Sequence, residues 1–226
     1  MYAHEVRSTI IEKLLTIHEI FYSIQGESTY AGRPCVFVRL TACDLRCSWC
    51  DTEYAFHEGR TQSLAEVLAE VDRLGCPLVE VTGGEPLLQE GVYPLMRSLL
   101  DRGRTVLLET GGHRSTADVP ESVVTILDVK CPGSGVAHRN DWSNLERLRP
   151  HDEAKFVVTD REDYEFARDV ITKHDLGGRI AAVHLSPAHG VMDLRRLSEW
   201  VLADRLAARV QVQLHKYIWD PGTRGV

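Results

Sequence analysis

Short runs of apolar, β-branched and aromatic residues recur along the chain, and amphipathic stretches separate many of them. The first two, residues 17–22 (IHEIFY) and 35–40 (CVFVRL), read as strands, with Gly32 and Pro34 between them. A helix follows. Leu64, Val67, Leu68, Val71 and Leu74 share one helical face, Ser63 and Glu66 have capping-box spacing, and Gly75 closes the element. Further strand-like runs lie at 78–82, 105–109, 124–129, 154–158, 180–185 and 210–214, with helical patterns over 88–101, 162–174 and 193–208. Strands alternating with helices predict a parallel sheet with right-handed crossovers. The repeats are too few for a closed eight-fold barrel, so the expected fold is α/β, a partial (β/α) barrel that is trimmed and open. Residues 1–16 are expected to form an N-terminal extension and 17–226 a single domain, with 132–144 as a long loop.

That topology places a site at the C-terminal ends of the strands. Most of the polar and glycine-rich segments fall there: 41–52, Thr82-Gly83-Gly84-Glu85-Pro86, Glu109-Thr110-Gly111-Gly112, 128–132, 186–189 and His215-Lys216.

Composition narrows the function classes. The chain has 226 residues, of which 43% are hydrophobic and 26% charged, so it can build a core and is not disordered. No apolar run approaches the roughly 20 residues of a membrane span. A net charge of −7 argues against a broad phosphate-binding surface, so no nucleic-acid partner is expected. Glu5, Arg7, Glu12 and Lys13 break up the N-terminal apolar residues, which argues against a secretory signal and for a cytoplasmic protein with reduced thiols.

The cysteines are then the unusual feature. Cys43, Cys47 and Cys50 form C-x-x-x-C-x-x-C, whereas Cys35, Cys76 and Cys131 stand apart. Thiolates are soft ligands that suit zinc or iron–sulfur clusters. A structural zinc site would need a fourth ligand, which one of the ten histidines could supply. Three thiolates on a cubane cluster would instead leave one iron open.

The spacing resembles that of the radical S-adenosylmethionine (SAM) superfamily, and Thr82-Gly83-Gly84-Glu85-Pro86 resembles its second signature. The segments Glu19–Glu27, Cys50-Asp51-Thr52, Asp128–Gly135, Gln213–Trp219 and the C-terminal Arg224-Gly225-Val226 are similar to the 7-carboxy-7-deazaguanine synthase family within it. The resemblance covers about residue 17 to the end. It implies a radical ring contraction of 6-carboxy-5,6,7,8-tetrahydropterin to 7-carboxy-7-deazaguanine and ammonia, with SAM regenerated, in queuosine and related 7-deazapurine biosynthesis.

Site residues follow from the same resemblance. Cys43, Cys47 and Cys50 would hold a 4Fe-4S cluster. SAM would contact Ser48, Trp49 and Cys50 beside the cluster, Gly84 and Glu85 in the glycine-rich turn, and Glu109 at the next strand end. It would also contact Asp128, Val129 and Lys130, and Ser186, Pro187, Ala188 and His189, at later strand ends. Glu85 could pair with the SAM ammonium. Ile24, Gln25, Gly26 and Glu27 would read the pterin edge. Arg39 would bind its carboxylate in bidentate fashion, with Thr82, His215 and Pro221 completing the substrate site. Thr52 would supply a hydroxyl to Mg²⁺, a hard ion that prefers oxygen. Plainer roles stay open: a strand-end arginine at 39, a turn cap at Asp51-Thr52, a solvated carboxylate at Glu109, and structural roles for His189, His215 and Lys216. Cys35, Cys76 and Cys131 read as ordinary buried thiols. Two positions depart from the family pattern: Ser28 stands where Gly is common, and Gly111 where Asn is common. The implied partners are an electron donor such as flavodoxin or ferredoxin and a second copy in a homodimer. An activating enzyme for a glycyl-radical protein and a non-catalytic metal-binding module are the competing readings.

Overall fold

The computed structural model describes residues 14–226. Its strands are β1 (Leu14–Ile24), β2 (Pro34–Leu40), β3 (Arg60–Ser63), β4 (Leu78–Gly83), β5 (Thr105–Thr110), β6 (Val124–Asp128), β7 (Glu153–Val158), β8 (Ala182–Pro187) and β9 (Arg209–Val210). Its helices are α1 (Leu64–Leu74), α2 (Val92–Asp101), α3 (Ser143–Arg147), α4 (Arg161–Lys173), α5 (Leu176–Arg179), α6 (Leu194–Asp204) and α7 (His215–Ile218). The strands form one nine-stranded sheet in the order β3-β1-β2-β4-β5-β6-β7-β8-β9. β1 runs antiparallel to β2 and β3, and every pairing from β2 across to β9 is parallel. The sheet ends at β3 and β9 and does not close, so the trimmed barrel expected from the repeat count is what forms.

The period-two alternation of the strands sorts their residues between two environments. Val36, Val38, Val79 and Val81 join a core with Val67, Leu68 and Val71 of α1 and Leu95, Met96 and Leu99 of α2. Ala154, Phe156 and Val158 of β7 join a second core with Tyr164, Ala167 and Ile171 of α4 and Leu197 and Val201 of α6. The intervening residues face the bore of the open barrel. Near the C-terminal strand ends they are polar: Arg39, Glu80, Thr82, Glu109, Asp128, Lys155 and Ser186 all line one cavity.

The capping box at Ser63 and Glu66 forms in both directions, and Gly75 closes α1. Other boundaries differ from expectation for local reasons. β1 starts at Leu14, before the expected boundary at 17, and the rest of the expected extension lies outside the described residues. α2 starts at Val92 rather than 88. Pro86–Leu88 forms a single 3-10 turn, and the Gln89 amide then donates to the carbonyls of Thr16 and Thr41. β8 starts at Ala182 because Ile180 caps α5. α6 stops at Asp204 because Arg205 takes a left-handed conformation, φ 48°. β9 is only two residues long, and 211–214 leave the sheet toward the cavity. β3, α3, α5 and α7 were not expected. The loop 132–144 is built largely of 3-10 turns at Pro132–Ser134 and Ala137–Arg139. Among the described residues, no helix is long and apolar enough to cross a membrane.

Candidate active site

The cavity has a volume of about 670 Å³ and opens at the C-terminal ends of the parallel strands. One side of it is the loop 41–52, which leaves β2 through Ala42 at φ 79°. The Ala42 N–H donates to the Ala55 carbonyl, and its own carbonyl accepts from Glu85 N at 2.8 Å. The loop therefore lies directly on the Gly83-Gly84-Glu85 turn. A Cβ at position 84 would sit 2.2 Å from the Ala42 carbonyl oxygen and 2.9 Å from Cys43 Cβ. Glycine at 84 is required first by this contact within the chain.

Cys43, Cys47 and Cys50 are free, partly exposed thiols that line the cavity. Burial pushes all three upward, and the Lys130 charge acts on each in the opposite sense, toward thiolate. Lys130 stays cationic. Burial works to lower it, but Asp128 at 2.8 Å and Cys47 outweigh that effect. Its ammonium lies 4.8 Å from the centre of the Trp49 ring. Ser48 anchors this end by donating from N and Oγ to the carbonyls of Ser134 and Gly133. Among the described residues no group of three or more His, Cys, Asp and Glu is gathered around a single metal position, the three thiols included. Among the described residues, Trp49 Nε1, Asp128 Oδ1 and Ser186 Oγ are buried without a protein partner, and all three residues line the cavity. Three soft donors beside orphaned polar atoms fit an iron–sulfur cluster with a polar ligand on it.

The opposite side is the turn between β1 and β2. The Gln25 side chain bridges it, accepting from Glu27 N at 2.8 Å and donating to the Glu80 carboxyl. Ser28 is in the left-handed region, φ 63°, where its Oγ accepts from Tyr30 N. Thr29 ties the far end of the turn to buried Glu153, whose other partner is His184 Nε2 at 2.6 Å. A Cβ at Gly26 would lie 2.0 Å from His215 Nδ1, and Leu214 N donates to the Gly26 carbonyl.

The C-terminal segment joins the two sides. Gln213 Nε2 donates to Glu27 at 2.9 Å and to Asp51 at 3.1 Å, and Lys216 Nζ reaches Asp51 at 2.7 Å. Thr52 Oγ1 donates to Asp51, and Thr52 does not cap the turn after it with its side chain. Residues 221–226 complete the rim, with Arg224 over the Tyr54 ring at 4.3 Å.

Every predicted site residue except Val129 lines this cavity. The Val129 side chain is buried in the second core instead. His189 is exposed at the rim. The Glu85 carboxylate is fully buried and accepts from Leu87 N, Gly111 N and Thr110 Oγ1, so it braces the turn from within the chain. Arg39 uses Nε on Glu19 at 2.8 Å and lies over the Phe21 ring; among the described residues its terminal nitrogens make no hydrogen bond.

Two interior charges were missed. Lys155 Nζ lies 2.9 Å from Glu27, pairs with Glu109 and is 3.8 Å from Asp128. Burial works against its charge, but Glu109, Glu27 and Asp128 together hold the ammonium well above its usual range. Glu80 is pushed well up by burial and by Glu109 and Glu27. Glu27 is held down despite burial by Lys155 and Gln213. The signal was a charged residue two positions before the last bore-facing residue of a strand, Glu80 before Thr82 and Lys155 before Val157.

Residues 38–131 match the Radical SAM superfamily. The chain is 50% identical over 226 residues to the 7-carboxy-7-deazaguanine synthase of Koribacter versatilis (strain Ellin345), covering 94% of this chain and 100% of that one. It is 45% identical to the 7-carboxy-7-deazaguanine synthase of Chlorobaculum tepidum, covering 95% and 99%. Among solved structures, the fold is similar to QueE from Escherichia coli, with TM-score 0.74 and 24% identity over 89% of this chain and 95% of that one. Streptococcus suis SuiB bound to S-adenosylmethionine is similar over 76% of this chain and 48% of its own, with TM-score 0.55 and 14% identity.

Proposed function

The chain belongs to the 7-carboxy-7-deazaguanine synthase family of radical SAM enzymes, and from that premise we propose how its cavity carries out the reaction. The enzyme converts 6-carboxy-5,6,7,8-tetrahydropterin to 7-carboxy-7-deazaguanine and ammonia, a step of queuosine biosynthesis. One observation carries the reading. Three free thiols, the guanidinium of Arg39 and the turn Gln25-Gly26-Glu27 open onto a single cavity, in a chain half identical to a named synthase along its length.

A 4Fe-4S cluster would be held by Cys43, Cys47 and Cys50, and with SAM and one electron it would supply the radical chemistry that removes hydrogen from C6 of the pterin. The chain's own residues do the rest. Lys130 favours the thiolate form of the ligands. Trp49 Nε1, Asp128 Oδ1 and Ser186 Oγ gain partners when SAM binds, and the main chain at Gly84 approaches it without a side chain in the way. Glu85 braces the turn and contributes its carboxylate to the SAM side of the cavity. Arg39 takes the substrate carboxylate through the nitrogens that Glu19 leaves free. Gln25 and Glu27 accept from the guanidine-like edge of the ring, with Ile24, Thr82, His215 and Pro221 around it. The tail 213–226 closes the rim and excludes water. Thr52 would supply a hydroxyl oxygen to Mg²⁺, a hard ion that would hold the substrate carboxylate.

The reaction needs a one-electron donor, a flavodoxin or ferredoxin. Arg46, Arg114 and Arg139 are exposed around Asp44 on the loop that carries the thiols, and an acidic donor would be steered there. The reading includes a homodimer, supported by exposed Leu14 and Tyr22 on β1. Anaerobic reconstitution with iron and sulfide, followed by reductant, SAM, Mg²⁺ and the carboxytetrahydropterin, tests the function. 7-carboxy-7-deazaguanine and ammonia are expected. Cleaved SAM without a deazapurine would remove the substrate assignment, and zinc binding without a cluster would remove the chemistry.

A further inference from the structure

Four neighbouring elements each send a charge to the floor of the cavity, and they converge on Lys155. The ammonium, on β7, meets Glu27 from the hairpin turn, Glu109 from β5 and Asp128 from β6. Its side chain is 7% exposed. A buried cation is tolerated only where partners replace its water, and here three carboxylates do so. The wider surroundings are also charged: Glu80 on β4 with Arg39 near it, Lys130 beside Asp128, Asp51 near Glu27 and paired with Lys216, His215 on α7, and His184, the register partner of Lys155 on β8, paired with Glu153. Without Lys155, Lys130 beside Asp128 and Arg39 near Glu80 would remain as cations against Glu27, Glu80, Glu109 and Asp128.

Sheet pairing does not explain the residue, since β7 is bonded to β6 and β8 along its backbone whatever side chain stands at 155. Its place does. Glu27 is on the substrate side of the cavity and Glu109 and Asp128 are on the SAM side, and one ammonium reaches both. Resting on the reaction assigned above, we propose that Lys155 is a positioning residue: it sets Glu27 against the substrate and Glu109 against SAM so that the two bound molecules meet in reacting register. The same ammonium keeps Glu27 an acceptor, because its charge is the main influence holding that buried carboxyl ionised.

Lys155→Met and Lys155→Arg in the reconstituted holoenzyme test this. The readouts are 5′-deoxyadenosine released per 7-carboxy-7-deazaguanine formed and the pH dependence of kcat/KM. Iron content and the response of the reduced cluster to SAM serve as controls. A misplacement of reacting groups by an ångström is worth about 100-fold, so Lys155→Met should lose about that much product formation and raise the deoxyadenosine-to-product ratio about tenfold. Its acid limb should move up by about one pH unit, the equivalent of about 1.4 kcal/mol of lost charge interaction at Glu27. Lys155→Arg should keep the wild-type acid limb but raise the ratio about threefold, since the planar guanidinium cannot hold both carboxylates where the ammonium does. A wild-type ratio in Lys155→Arg overturns the positioning role, even if Lys155→Met fails to fold. An unmoved acid limb in folded Lys155→Met also overturns it. Wild-type enzyme that forms no deazapurine overturns the assigned reaction and this role with it.

Discussion

Lys216 of the C-terminal segment donates to Asp51, the residue after the last cysteine of the motif, at 2.7 Å. Gln213 reinforces the contact and also reaches Glu27. The segment is thus a strap between the thiol-bearing loop and the turn assigned to substrate. A charge-assisted hydrogen bond contributes about 1.5–3 kcal/mol, so Asp51→Asn or Lys216→Met should raise KM for the pterin by about tenfold or more. Iron content should be unchanged, because neither residue bears a thiol. Steady-state kinetics with parallel iron analysis checks this. A KM effect accompanied by equal iron loss would place Asp51 in cluster assembly instead.

Asp44, between two of the thiols, accepts from Arg114 at 2.7 Å and Arg139 at 3.1 Å, with His113 Nε2 at 2.5 Å. Burial works to raise its pKa, but His113 and Arg114 outweigh that and hold it at about 2. A depressed carboxylate contributes stability above its unfolded value of roughly 3.9 and loses it as pH falls through the folded value. Asp44→Asn should therefore be less stable than wild type at pH 7, by about 1 kcal/mol once solvent screening of these partly exposed pairs is allowed for. The difference should shrink between pH of about 4 and about 2. Denaturant unfolding across that range measures it. A gap that persists at the acid end would assign the loss to something other than ionisation.

The fold was legible where apolar runs mark strands, as at Val36–Leu40 and Val79–Val81, because burial on the inner strands demands them. β3 was not, since Arg60-Thr61-Gln62-Ser63 is a polar edge strand held by its pairing with β1. The end of β9 was misread because Gln211–Leu214 is drawn off by bonds to Ser28, Glu27, Asp51 and Gly26, none of them near in sequence. The site was legible where chemistry gathers at strand ends. Lys155 and Glu80 escaped because they sit inside apolar strands, and only the bore's alternation shows that their side chains point to the same cavity. Glu85 was legible as a site residue, but its bracing bonds to Thr110 and Gly111 were not, because they depend on a neighbouring strand end.

Gly84 meets the Ala42 carbonyl so closely that any side chain there must displace the thiol-bearing loop. Gly84→Ala should take up less iron and form less product. Overpacking of this kind costs about 1–3 kcal/mol, so the variant should still fold. Iron per chain and far-ultraviolet circular dichroism together test this. A folded variant with full iron content would show that the loop can move without consequence.

The six cysteines should divide cleanly. Cys43→Ala, Cys47→Ala and Cys50→Ala should each abolish stable cluster binding. Cys35, Cys76 and Cys131 are buried, and burial pushes the thiols of Cys35 and Cys131 upward, away from the ligating form. Their alanine variants should retain full iron and lose only packing, about 1–2 kcal/mol each. Absorbance of the reconstituted cluster and thermal unfolding read the two effects separately.

The most direct measurement is the number of 7-carboxy-7-deazaguanine molecules formed per SAM consumed by the reconstituted enzyme with Mg²⁺ and a one-electron reductant. A cavity that holds SAM beside the pterin, and returns hydrogen to it after ring contraction, predicts many products for each SAM lost. One SAM lost per product would contradict the regeneration of SAM. SAM lost with no deazapurine formed would contradict the assigned reaction.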